Sequence, residues 1–209
     1  MNQYKQQLED ISEIRSMMEA NTRFVSLSGL SGVSAGAIAL VGALGTYRYL
    51  VGEQIYTNLQ PHYSYQVSYH QLLVLVGIAL LILFSAIGSA AVFTYRNAQK
   101  KGQSIWGKPG RRMTFNLAFP IVAGAIFCIE MALWGSWGFI APATLIFYGM
   151  GLLNAGKYTW GEIRYLGMLE IGLGLVAAAL PGYSILFWAI GFGVLHIVYG
   201  IIMYLRYER

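Results

Sequence analysis

Residues 72–95 read LLVLVGIALLILFSAIGSAAVFTY, an apolar run without one charged side chain that stops at Arg96. About 20 such residues suffice to cross the hydrocarbon core of a bilayer as a helix. A helix that is apolar on every face belongs in lipid or in the core of a large protein. Composition favours lipid: of 209 residues, 56% are hydrophobic and 11% charged, against roughly 25% charged in soluble domains. The net charge of +5 does not point to nucleic acid, because the basic residues gather in short segments between apolar runs and not along one amphipathic face.

Working outward, five further runs complete six expected spans, near residues 25–46, 72–95, 115–134, 137–155, 165–180 and 183–205. WGSWG joins the third to the fourth and LPGYS the fifth to the sixth, with Gly135, Gly138, Pro181 and Gly182 supplying turn chemistry. Lysine and arginine mark the cytoplasmic connectors. With the N-terminus inside, that side receives Lys5, Arg15, Arg23, Arg96, Lys100, Lys101, Lys108, Arg111, Arg112, Lys157, Arg164, Arg206 and Arg209, leaving only Arg48 of the 14 basic residues outside. The expected fold is therefore all-α: a polytopic membrane domain over 24–209, six transmembrane helices as three antiparallel hairpins, both termini cytoplasmic.

Residues 1–23 are too polar for a cleaved signal peptide, so the first span is expected to remain as an anchor. They are read as a cytoplasmic amphipathic helix, with Leu8, Ile11, Ile14 and Met18 at helical spacing. That stripe suits the protein's own inner loops, a protein partner or self-association.

The first span opens with small residues, Ser28, Gly29, Ser31, Gly32, Ala35 and Gly36, which let helix backbones approach closely in lipid. Its GLSG string, with His196 in a later span, resembles the GxSG serine and histidine of rhomboid intramembrane proteases. It departs from them in placing the serine on the first span and in surrounding the histidine with LHIVYG. No catalytic residue is assigned on that basis, and an enzyme is not the expectation. His62 and His70 follow Pro61, which breaks any helix there, and no cysteine or carboxylate pattern joins them, so no metal site is assigned. Cys128 is the single cysteine, which excludes an internal disulfide.

The ionisable residues inside the spans are Glu130, Glu170 and His196. Such groups are costly in a membrane and usually face a bundle interior or water. At ~1.5 Å per residue, Glu170 lies ~9 Å in from Arg164 and His196 ~15 Å in from Arg206, within about one helical turn in depth on consecutive spans. A carboxylate opposite an imidazole is either a structural pair or a proton-binding site. Glu130 is expected nearer the outer face. GMGLLN at 149–154 and GFGVLH at 191–196 hint at a parallel repeat, with close helix packing as the plainer reading. The sequence names no cofactor, and one histidine within the spans argues against bis-histidine haem in a single chain.

The string ISEIRSMMEANTRFVSLSGLSGVSAGAIALVGA at 11–43, followed by five further spans, resembles an uncharacterised family of small bacterial six-span integral membrane proteins. The resemblance implies a bacterial inner-membrane location and no activity, substrate or site residue. The expected function is an accessory, sensor or assembly protein in the lipid bilayer without chemistry of its own. The alternative is a small proton-coupled transporter or channel using Glu170 and His196, and an intramembrane hydrolase comes third.

Overall fold

The computed structural model describes Phe24 and residues 26–53, 67–102 and 104–209. The helix expected over residues 1–23, with Leu8, Ile11, Ile14 and Met18, lies outside the described residues, as does His62. Every regular element among the described residues is helical.

Helix α1 spans Gly29–Gly52 and α2 spans Tyr69–Lys100. A capping box opens α2: the Ser68 hydroxyl accepts from the Gln71 amide, and the Gln71 side chain accepts from the Ser68 amide. The helix therefore begins before the uncharged run. It also continues past Arg96, because lysine and arginine are good helix formers whose stems lie along apolar surface while their heads reach water. Helix α3, Lys108–Leu133, has Pro109 in its first turn, where the missing N–H costs nothing. It ends at Gly135, whose φ of 70° places it in the left-handed region. The Gly135 and Ser136 amides close back on the Ala132 and Met131 carbonyls, a Schellman termination.

After a 3-10 turn, α4 covers Ile140–Ala155 and α5 covers Glu162–Ala179. The chain then runs as one rod: α6 (Ser184–Trp188), a π-helical segment (Ala189–Leu195) and α7 (His196–Tyr207). Among the described residues, five helical stretches are long and apolar enough to cross a membrane: Gly29–Gly52, Tyr69–Lys100, Lys108–Leu133, Trp137–Ala155 and Pro181–Tyr207. Helix α5 is the exception, because its 18 residues include Glu162, Arg164 and Glu170.

The rod is central. It packs along α1, which carries α2 on its other flank; α5 and α4 meet the rod's first half, pack extensively on each other, and α4 carries α3. Helices α2 and α3 are thus peripheral. The apolar run of α2 has no buried residue, and Leu73, Leu81, Phe84 and Ile87 among others point outward. Its packing on α1 is made where Ile82 lies over Gly42.

Small residues set the interior contacts. A Cβ added to Gly36 would lie 2.6 Å from the Gly193 carbonyl oxygen, and one on Gly200 would lie 2.5 Å from that of Gly29. Gly29, Gly32 and Gly36 therefore lie directly against the backbone of the rod. Helices α4 and α5 meet in the same way: a Cβ on Gly149 would lie 2.6 Å from the Gly167 oxygen, and one on Gly167 2.7 Å from the Gly149 oxygen. Close backbone approach of this kind gains dispersion contact that lipid tails do not supply.

At one end of the bundle the chain is tied to itself. The Phe24 amide donates to the Tyr158 carbonyl (2.7 Å) and the Thr159 hydroxyl to the Phe24 carbonyl (2.8 Å). The Asn97 amide donates to the Ser26 carbonyl at 3.1 Å. These bonds hold the approach to α1 outside the helix, which explains why α1 starts at Gly29 although the apolar run begins earlier. The Glu208 carboxylate accepts from the Ser28 hydroxyl (3.0 Å) and from the Gly29 amide. A negative side chain there satisfies an unpaired donor and complements the helix dipole. The starts of α1 and α5 and the ends of α2, α4 and α7 consequently share one face.

Candidate functional site

Glu170 sits midway along α5 and is 0% exposed. It fits because it faces Gly191: a Cβ there would lie 2.5 Å from both Glu170 Oε2 and Leu145 Cδ2. Neither carboxylate oxygen has a hydrogen-bond partner. His196 Nδ1 lies 3.4 Å from Glu170 Oε1 and 3.0 Å from the Gly191 carbonyl oxygen. A carbonyl can only accept, so Nδ1 carries a proton. Nε2 lies 2.8 Å from the Tyr148 hydroxyl, which donates to it when the imidazole is neutral.

The π-helical segment builds this geometry. It closes i to i+5 instead of i to i+4, an arrangement frequent at functional sites. Gly191 lies five residues before His196, and its carbonyl receives the imidazole proton. Phe192 lies between Trp188, tilted against it with ring centroids 4.9 Å apart, and His196, stacked on it at 5.8 Å, while Tyr148 of α4 closes on Phe192 at 4.9 Å. The imidazole is held by two hydrogen bonds and an aromatic wall; the carboxylate is held only by packing.

An ionised carboxylate without donors, in surroundings of low dielectric, is strongly disfavoured. Two changes relieve it: a proton on Glu170, or a second proton on His196 that makes an ion pair across 3.4 Å. Either is a protonation event at one buried site. Glu130 is exposed near the far end of α3 and has no part in the cluster. The Ser31 hydroxyl donates to the Ser28 carbonyl, and both imidazole nitrogens are engaged elsewhere, so no serine–histidine pair forms.

Sequence reasoning missed Tyr148 and Gly191. Tyr148 reads as one more aromatic in an apolar helix. It lies seven residues in from the end of α4, ~10 Å, which matches Glu170 in depth and was the available signal.

A second polar group stands at the tied face. Glu162 Oε1 accepts from Arg206 Nη1 (2.7 Å) and the Tyr207 hydroxyl (2.6 Å), and Trp160 stacks on Tyr207 at 3.8 Å. Partial burial pushes the Glu162 carboxyl up, but bonds from Tyr207 and its own backbone, with the Arg206 charge, hold it below the usual carboxylate range. A depressed folded value contributes stability above the range where the unfolded carboxylate titrates, lost as pH falls through the folded one. Thermal unfolding of the wild type is expected to become easier below about pH 4. Glu162→Gln should flatten that acid slope slightly, Arg206 being largely exposed. An unchanged slope would remove Glu162 from the acid response.

Over residues 35–159, more than half of its length, the sequence matches the family model described as TMEM128 protein, a membrane protein family. The matched residues include Tyr148 and end before Glu170 and His196. No curated protein and no solved structure matches the chain. The chain belongs to the TMEM128 protein family.

Proposed function

We propose that the chain is a sensor or accessory protein of the membrane that performs no chemistry of its own and whose switchable element is Glu170. The observation that carries this reading is a carboxylate with no exposure and no hydrogen-bond partner, beside an imidazole fully occupied by other groups. In this reading α5 also crosses the bilayer, giving six crossings as three hairpins. The tied face, rich in basic connectors, is cytoplasmic. The resemblance over residues 11–43 supports a bacterial inner membrane, and the stripe Leu8, Ile11, Ile14 and Met18 offers a partner or a second copy an apolar surface.

Protonation reaches the rest of the molecule through the π-helical segment. Gly191 touches Glu170, and two residues on Gly193 lies against Gly36 and Leu40 of α1. A change of charge at the carboxylate therefore bears on the contact that positions α1. A glycine contact of this type has little room to deform gradually, so it favours two discrete packings.

The second reading is proton-coupled transport through the same carboxylate. Infrared difference spectra of the protein in liposomes, between neutral and acidic pH, are expected to show a carboxyl band that Glu170→Gln removes, with no accompanying solute or proton flux. Flux abolished by Glu170→Gln would overturn the sensor reading in favour of transport. A spectrum without that band would overturn both.

A further inference from the structure

Helix α3 opens with Lys108, Arg111 and Arg112, cations at i, i+3 and i+4 that share one helix face, with Cβ atoms about 5–6 Å apart. The same face continues through Phe115, Phe119, Val122 and Ile126, all of them exposed. An exposed apolar face along a span meets lipid tails, so the cations, one to two turns before Phe115, stand at the level of the headgroups. Trp106, 72% exposed just ahead of them, belongs to the same boundary.

The tied residues bring further cations to this end of the bundle. Phe24 lies against Gly110 of α3 and is bonded to Tyr158 and Thr159, which follow Lys157. The stem of Arg164 lies over Gly156, and Asn97, bonded to Ser26, precedes Lys100 by less than a turn. Lys100, Lys108, Arg111, Arg112, Lys157 and Arg164 are all exposed, and none of them forms an ion pair among the described residues. The carboxylates described on this face are already engaged, Glu162 by Arg206 and Tyr207, and Glu208 by Ser28 and the Gly29 amide. The opposite end has no such excess: the Lys, Arg, Asp and Glu side chains described there are Arg48, Glu53 and Glu130.

We propose that the tied face binds the headgroups of anionic phospholipids, with Lys108, Arg111 and Arg112 as the principal contacts. Like charges at i and i+4 repel, and exposed charges feel one another over ~10 Å at moderate ionic strength. With both described carboxylates of the face engaged elsewhere, a lipid phosphodiester supplies the counter-charge while its tails lie along Phe115 and Phe119. An acidic soluble partner would also supply counter-charge, but it would not account for a cation cluster continuous with a lipid-facing stripe. Nothing in this arrangement depends on the protonation of Glu170.

The test compares full-length protein in nanodiscs of phosphatidylcholine and of phosphatidylglycerol with the same acyl chains. Phosphatidylglycerol is expected to raise the unfolding temperature. Sodium chloride should raise it in phosphatidylcholine, where it screens the repulsion, and lower it in phosphatidylglycerol, where it screens the attraction. In lipid titrations followed by native mass spectrometry, each of Lys108→Gln, Arg111→Gln and Arg112→Gln is expected to weaken phosphatidylglycerol binding ~5-fold, the scale of one basic side chain at an anionic surface. The triple variant, altered only at exposed positions, should fold and melt above the wild type in phosphatidylcholine, and Arg48→Gln should leave lipid preference unchanged. Equal melting of the wild type in the two lipids, or a phosphatidylglycerol preference that survives in the folded triple variant, would overturn the proposal. Lys108 is expected to react with an amine reagent in detergent alone and to be protected by phosphatidylglycerol. Protection already in detergent would show that protein covers this face, and equal protection by inorganic phosphate at the same ionic strength would show a free-anion site; either outcome excludes the lipid.

Discussion

Glu170→Leu is expected to be more stable than the wild type, by about 1–4 kcal/mol, the gain seen when apolar residues of similar volume replace buried ionic groups. Both nitrogens of His196 keep their partners, Gly191 and Tyr148, so removing the carboxylate orphans nothing. Leucine would meet Leu145 and the open face of Gly191, surroundings that already suit it. Glu170→Ala should go the other way. It leaves a cavity in the bundle, and truncations of this size in packed interiors cost about 2–5 kcal/mol. The order leucine, wild type, alanine, measured by thermal unfolding in detergent or nanodiscs, separates a carboxylate kept for its proton from one kept for structure. A leucine variant that melts below the wild type would show that Glu170 supports the fold.

Gly149→Leu is expected to be the most damaging single substitution between α4 and α5. Overpacking a core costs about 1–3 kcal/mol when side chains can yield. Here the obstacle is the Gly167 carbonyl oxygen, 2.6 Å from where the Cβ would stand, and the contact is reciprocal. Backbone cannot rotate aside, so the helices must separate and α5 would carry Glu170 away from Gly191. Loss of a monodisperse folded species on size exclusion is the expected result. Gly45→Leu and Gly88→Leu are the controls, because nothing lies within 4 Å of an added Cβ at either position. Each replaces an exposed mid-helix glycine and should gain up to ~1 kcal/mol of helix propensity. Equal behaviour of Gly149→Leu and the controls would mean that α4 and α5 are not closely packed.

Much of this molecule is legible in the sequence because lipid punishes charge so consistently. Residues 72–95 announce a helix by themselves, and the small residues from Ser28 to Gly36 announce a close contact. Depth arithmetic from Arg164 and Arg206 was enough to set Glu170 beside His196. What it could not supply was the identity of helix neighbours. Apolar runs are nearly interchangeable in composition, so nothing in them says that α1 lies along the rod and α4 against α5. The Tyr148 contact depends on that arrangement and went unseen with it. Helix ends were displaced for a related reason: hydropathy follows solvent, whereas Ser68 and Glu208 act through individual hydrogen bonds.

The π-helical segment also clocks the two halves of the rod against each other. Closing i to i+5 takes one more residue per turn than an α-helix, so the segment accommodates an extra residue while keeping His196–Tyr207 nearly in phase with Ser184–Trp188, and dropping one residue from Ala189–Leu195 would restore the ordinary winding. Gly200 would keep Gly29, and the change would fall on the wide turn between Gly191 and His196, across which the imidazole bonds the Gly191 carbonyl. What those seven residues encode is a length more than a composition: many apolar substitutes would serve at Ile190 or Val194, but a shortened chain would close the wide turn beside Glu170.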